Sequence, residues 1–273
     1  MGKSRQTQQT KSINKKRFAT YCIAERFVLQ NYVLVVDSGV GGLNVLRRLC
    51  LLRPSNYVYV ADHKFCPYGT KTAALVAERV RLIADRFSDA TLAVIACNTA
   101  SCALAQADPL PCPTVNAVSA TCDYLAKNVC GDAVLLATTL TVQSRYYDKA
   151  LRLSKVNLRS FAADELVRLA EKNLVCCTDE QRLCVEKILP AELSCVRTAV
   201  LGCTHFDVFA DVVAKSLPVG GRVVLSSECV ANAASSKIEQ TSKAFCVRYF
   251  STDRQKAAEL YKRLGLPFRF LSV

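Results

Sequence analysis

Two cysteines in this chain stand where a thiol can do acid–base chemistry. Cys97 follows the apolar run 92–96 and opens a small-residue, helix-compatible segment, 100–107. Cys203 ends a run of the same grammar, Thr198-Ala199-Val200-Leu201-Gly202-Cys203-Thr204-His205. In open α/β sheets the carboxyl ends of strands are where ligands bind, and a helix start favours the reactive thiolate. Two thiols facing each other across a carbon can remove a proton from one face and return one to the other. For that, one begins as thiolate and the other as thiol. A free thiol near ~8.5 needs lowering to act as a base near neutral pH. Helix starts, Asp37 and His205 are the tuning devices the sequence offers. A cysteine protease or amidase, with Cys, His and an orienting residue, would explain one cysteine turn and leave the other without a role. His205 lies two residues past Cys203 and is one of only two histidines, the other being His63. It reads as a proton partner for the thiol. Asn98 and Thr99 are polar groups directly after a buried strand; they must find partners, and a ligand is one candidate. Gly202 permits close approach, and Thr204 adds a hydroxyl.

The elements that must hold these turns follow from hydrophobic pattern. Strands are expected at 32–36, 57–61, 92–96, 114–118, 133–137, 158–162, Thr198–Gly202, 223–226 and 245–250. Helices are expected at Leu43–Leu52, 72–86, 119–127 with Ser119 as N-cap, 142–153, Asp164–Lys172 with Asp164 as cap, 179–189, 229–237 and 253–264. Apolar strands alternating with helices argue a parallel sheet covered on both faces. Two cysteine turns in successive segments suggest two α/β halves with a site in the crevice. The first strand runs into Asp37-Ser38-Gly39-Val40-Gly41-Gly42, the grammar of an anion-binding βα unit. Its glycines would let backbone N–H groups approach a ligand closely. It is not the dinucleotide fingerprint, because Asn44 stands where glycine is required.

Composition bounds the classes. The chain has 273 residues, 51% apolar and 22% charged, which is globular composition. No apolar run approaches the ~18 residues of a membrane helix. Of the net charge of +13, the first 31 residues supply seven cations against Glu25. Residues 1–30 read as a disordered basic extension, without the apolar core of a secretory signal. Fifteen cysteines, an odd number, interrupt apolar runs at Cys50, Cys130, Cys184 and Cys246. That fits a reduced, cytoplasmic protein using cysteine as a small hydrophobe. No C-x-x-C pair exists, so usual zinc spacing is missing.

Five motifs in order between about residues 32 and 265 carry a resemblance. They are Asp37-Ser38-Gly39-Val40-Gly41-Gly42-Leu43, Pro67-Tyr68-Gly69, Cys97-Asn98-Thr99-Ala100-Ser101, Ala137-Thr138-x-x-Thr141-Val142-x-Ser144-x-x-Tyr147 and Leu201-Gly202-Cys203-Thr204-His205. Together they resemble the glutamate racemase family. The resemblance implies two Rossmann-like lobes with mainly parallel sheets and the active site in the cleft between them. The lobes would be residues 31–120 plus 225–273, and 121–224. It implies cofactor-independent, metal-free, two-base racemisation of glutamate, supplying D-glutamate for peptidoglycan. By matching position, Cys97 would take the proton from D-glutamate and Cys203 from L-glutamate. Asp37 would assist Cys97, and His205 would assist Cys203. Ser38, Tyr68, Gly69, Asn98, Thr99, Thr141 and Thr204 would hold the amino acid. The segment Leu166-Val167-Arg168-Leu169-Ala170-Glu171 resembles one that ends in a further acidic helper; read alone, Glu171 is a solvated helix carboxylate.

The chain departs from the family pattern at several places. Phe206-Asp207 stands for Tyr-Pro, Asn116 for glycine, Ala120 for proline, and Ser226-Ser227-Glu228 for an Asp-Ser-Gly-like turn. None falls on Cys97, Cys203, Asp37 or His205. Glutamate is the expected partner. A homodimer, and contact of the basic arm with nucleic acid or a topoisomerase, are secondary readings. The alternatives are a related racemase for aspartate or another acidic amino acid, and a non-catalytic binding protein using the arm.

Overall fold

In the computed structural model, residues 30–172, 177–239 and 245–273 are described; residues 1–29, nearly all of the basic arm, lie outside them. The chain runs β1 (Tyr32–Asp37), α1 (Leu43–Leu52), β2 (Asn56–Ala61), α2 (Ala73–Arg86), β3 (Leu92–Ile95), α3 (Asn98–Ala103), β4 (Thr114–Asn116) and α4 (Ala117–Asn128). It continues β5 (Gly131–Ala137), α5 (Thr139–Gln143), α6 (Tyr146–Leu151), β6 (Val156–Ala162), α7 (Asp164–Lys172), α8 (Asp179–Ile188), β7 (Thr198–Gly202), α9 (Ala210–Lys215) and β8 (Arg222–Leu225). Then come α10 (Ser226–Ser235), β9 (Val247–Ser251), α11 (Arg254–Leu264) and β10 (Phe268–Phe270).

The strands form two sheets. One has six strands in the order β10-β9-β2-β1-β3-β4, the other four in the order β6-β5-β7-β8. Every pairing is parallel. The inner strands are apolar throughout because helices cover both faces of each sheet; all six residues of β1 and all four of β3 are buried. Each sheet reverses direction of growth at a switch point, β1/β3 in the first and β5/β7 in the second. Such points open a crevice at the carboxyl ends of the strands. Cys97 follows β3, and Cys203 follows β7 directly.

Alternation along β5 shows how the lobes share a core. Ala133, Leu135 and Ala137 pack into the large cluster that also contains the six-stranded sheet. Val134 and Leu136 face the other way, into a second cluster with Leu166, Val185, Phe206 and Phe209. Each fully buried aliphatic side chain contributes about 1.5–3 kcal/mol.

The structure departs from the sequence pattern in five places. The expected helix 142–153 is two helices, broken where Arg145 adopts φ 55°. The expected strand 114–118 stops at Asn116, and that residue caps α4 by accepting from the Ser119 N–H at 2.8 Å. Ser119 is therefore inside the helix. The helix expected at 229–237 starts earlier, at Ser226. β10 has only three residues and gave no readable period. Finally, Cys130 and Cys184 are exposed and so are not core filler, whereas Cys50 is partly buried and packs against the main core. Eleven of the described cysteines, Cys97 and Cys203 among them, are free thiols.

Candidate active site

Cys97 is the N-cap residue of α3 and is buried. Its thiol donates to Ser38 Oγ at 3.9 Å. Asp37, at the end of the neighbouring β1, is wholly buried. Its Oδ1 accepts the Gly39 N–H at 2.9 Å and its Oδ2 accepts the Thr204 hydroxyl at 3.1 Å. That second bond runs from one lobe to the other. Burial raises the Asp37 carboxyl, opposed chiefly by the nearby His205.

The helix start was expected to lower the Cys97 thiol. It does not. Burial and the Asp37 charge push the thiol well above its ordinary value, against the Ala100 N–H of the helix start and the Ser38 hydroxyl, with the Cys203 sulfur also raising it. Desolvation of a would-be thiolate outweighs a single helix turn. Cys97 is therefore a thiol in this state.

Cys203 lies at the start of a 3-10 turn, Thr204–Phe209, and is buried. Its Sγ is 3.8 Å from His205 Nδ1. His205 Nε2 is 2.7 Å from Glu171 Oε1. Burial alone would lower the imidazole, but the Cys203 and Glu171 contacts win and hold it well above its ordinary value. Burial would raise the Glu171 carboxyl, yet the His205 contact leaves it lowered. The two directions agree and favour the charged His205–Glu171 pair beside the Cys203 sulfur. Glu171 is thus not a solvated helix carboxylate. It reaches the site because α7 packs against the 3-10 turn.

The glycine loop also sets how closely the lobes pack. A side-chain carbon at Gly41 would lie 2.5 Å from Thr204 Oγ1 and 2.8 Å from the His205 backbone nitrogen. One at Gly39 would lie 3.1 Å from Cys66 Sγ, 3.2 Å from Glu171 Oε1 and 3.4 Å from His205 Nε2. The glycines let the first lobe's loop close onto the second lobe's cysteine turn.

The remaining expected site residues gather around these two turns. Thr99 Oγ1 lies 2.8 Å from Thr138 Oγ1 and 3.4 Å from Thr141 Oγ1, joining α3 to the start of α5. Asn98 donates to Ser226 Oγ and accepts from the Tyr147 hydroxyl, both at 2.9 Å. The Tyr68 hydroxyl donates to Asp62 at 2.7 Å. Asp62 also takes a two-pronged contact from Arg79, at 3.1 and 3.0 Å, and the Thr252 hydroxyl at 2.7 Å. Gly69 packs so closely on Thr138 and Asp164 that a side chain there would come within 2.8–2.9 Å of them. Thr138, Ser226, Asp62, Arg79 and Cys66 were not foreseen as site residues. Apart from the Thr138–Thr141 and Asp62–Tyr68 contacts, which are local, their contacts join segments far apart in sequence. Among the described residues no group of three or more His, Cys, Asp or Glu is placed to hold a metal ion. No helix among them is long and apolar enough to cross a membrane.

Residues 47–234 match the family model described as Asp/Glu/Hydantoin racemase. The chain belongs to that family. It is 33% identical over 225 residues to a glutamate racemase of Photorhabdus laumondii, covering 78% of each chain. The fold matches a glutamate racemase isoform from Bacillus anthracis with TM-score 0.76 and 25% identity, over 89% of this chain and 98% of that one. It also matches Escherichia coli glutamate racemase, solved with L-glutamate and the activator UDP-MurNAc-Ala, with TM-score 0.67 and 28% identity over 88% and 97% of the two chains. These matches make the chain an amino-acid racemase of two α/β lobes.

Proposed function

We propose that this racemase interconverts L- and D-glutamate by two thiols and without a cofactor. The observation that carries the reading is the pairing of Cys97 and Cys203. They follow equivalent strands of two sheets, and the Cys203 turn is tied by the Thr204–Asp37 hydrogen bond to the end of β1, the strand beside β3. In the L-to-D direction Cys203, backed by His205 and Glu171, takes the α-proton. Cys97, held as thiol, delivers a proton to the opposite face; the reverse direction exchanges the roles, with Asp37 beside Cys97. Thr99, Thr138, Thr141, Thr204, Asn98 and Ser38 offer hydroxyl and amide groups for the two carboxylates and the ammonium. The Tyr68 hydroxyl is engaged by Asp62, so the contribution of the Tyr68-Gly69 segment is through its backbone. The relatives named above act on glutamate, which supports it over aspartate. The product, D-glutamate, would serve peptidoglycan synthesis in the cytoplasm.

Cys97, Cys203, Asp37 and His205 are all buried, so admission of an amino acid requires the lobes to part. An open cleft of about 990 Å³ lies elsewhere, lined by Lys71, Cys102, Gln143, Arg145 and Lys149; neither Cys97 nor Cys203 lines it.

The test is exchange of the α-proton of either enantiomer in deuterium oxide, under reducing conditions, without pyridoxal phosphate or added metal, with aspartate run in parallel. Exchange and loss of optical rotation with glutamate are expected. Absence of both sinks the reading, and preference for aspartate moves the substrate.

A further inference from the structure

The two departures from the family pattern nearest Cys203, Asp207 and the Ser226-Ser227-Glu228 turn, meet in space. Asp207 lies in the same 3-10 turn as His205, and its side chain is only 9% exposed. Its Oδ2 accepts the Ser227 hydroxyl at 2.5 Å and lies 3.9 Å from an Arg48 guanidinium nitrogen. Arg48 in turn pairs with Glu228 at 2.7 Å. Asp207 Oδ1 is buried and has no hydrogen-bond partner. Burial pushes this carboxyl up to about 6 in spite of Ser227 and Arg48. A carboxylate buried with one oxygen unpaired is costly. A turn that needed only to be stable would do better with an apolar residue.

What the acid does is join lobes. Asn44 and Arg48 are one turn apart on α1 and share a face. Asn44 Nδ2 donates to the Thr204 backbone carbonyl at 3.2 Å; Arg48 reaches Asp207 three residues on. Ser227 sits at the start of α10, where the chain leaves the four-stranded sheet and packs against α1 and α4. The turn bearing Cys203 and His205 is thus gripped by α1 on one side and by α10 on the other.

We propose that Asp207 is a positioning residue: with Arg48 and Ser227 it latches the Cys203–His205 turn onto the first lobe and so fixes the Cys203 sulfur opposite Cys97. The kinetic half of this rests on the two-thiol reading above.

The experiment compares Asp207→Ala with Asp207→Asn, which keeps an acceptor for Ser227. Iodoacetamide alkylation of Cys203 relative to Cys97 is followed by peptide mass spectrometry, beside kcat and KM for glutamate. Loss of the latch in Asp207→Ala should raise the Cys203-to-Cys97 ratio about tenfold through local opening. It should lower kcat about tenfold with KM nearly unchanged, because the displaced group acts on the reacting proton. Asp207→Asn should restore most of both. If Asp207→Ala does not fold, Ser227→Ala removes the same contact and should shift both readouts in the same direction by about threefold. An unchanged alkylation ratio overturns the latch. A raised ratio with unchanged kcat overturns the positioning role, as does a rise in KM alone. Inactive wild-type protein counts against the proposed reaction, and the alkylation ratio still decides the latch.

Discussion

At the end of β3 the Cys97 thiol faces the Ser38 hydroxyl and the Asp37 carboxylate. At the end of β7 the Cys203 sulfur faces the His205 imidazole, which is itself backed by Glu171. The two sheets have the same local strand order, β2-β1-β3-β4 and β6-β5-β7-β8, and deliver their cysteines from equivalent strands. The surroundings do not repeat. Around Cys97, burial and the Asp37 anion favour the protonated thiol, against the Ala100 N–H and the Ser38 hydroxyl. Around Cys203 there is a cation whose proton is within reach of the sulfur. Repeating an architecture places two thiols alike, while the residues each lobe supplies around its own cysteine favour the protonated thiol at one and give the other a charged proton partner.

Removing either thiol is the severest test of that division. Cys97→Ala and Cys203→Ala should each lower kcat by about 10²–10⁴, the span of general acid–base catalysis. Near-wild-type turnover in either variant, measured by polarimetry, would break the pairing. A side chain at Gly41 comes next, since it must displace Thr204 and His205 together. Gly41→Ala should cost about 1–3 kcal/mol of stability by overpacking, read as a lowered urea midpoint, along with most of the activity. Gly131 is the control, because nothing lies within 4 Å of a side chain there, leaving only the strain of its positive φ; an equal loss of activity in Gly131→Ala would deny Gly41 a special role.

Charge at the second turn should matter less than the thiols and should show in pH. Glu171→Gln removes one of the contacts that raise His205. The alkaline limb of kcat/KM should then move to lower pH; an unmoved limb would separate His205 from the profile. The same pair affects stability. His205 has a raised folded value, so its contribution is full below the unfolded imidazole value of ~6.5 and is lost as pH rises through the raised one. Glu171 has a lowered folded value, so its contribution is present above ~4.3 and is lost as pH falls through the lowered one. Glu171→Gln should therefore flatten Tm against pH on both sides of neutrality. A smaller effect than loss of either thiol is expected from Thr204→Val, which removes the hydroxyl donated to Asp37. A hydrogen bond to a charged group is worth about 1.5–3 kcal/mol, so activity should fall between about tenfold and a hundredfold.

The alternation of apolar strands with helices made the parallel α/β class readable, because strands buried on both faces cannot be disguised by a polar period. The two cysteine turns were readable by their place at strand ends. Arg145 was not, since an arginine in the left-handed region carries none of the glycine or asparagine signal that usually marks a helix end. Asn116 took the capping role expected of Ser119 because the strand ended two residues sooner than its apolar run. Glu171 was reached only through family resemblance; its partnership with His205 joins segments 34 residues apart. The direction of the Cys97 thiol was misjudged for a related reason. A helix start is visible in a sequence, whereas the desolvation that overrides it is a property of the assembled lobes.

The burial of both cysteines has a kinetic side. With the site sealed between lobes, entry and departure of ligand are motions of large bodies through solvent, and such steps set the pace of many enzymes. Turnover should then slow as microviscosogens such as sucrose are added, while a variant crippled in proton transfer, such as Glu171→Gln, becomes indifferent to them.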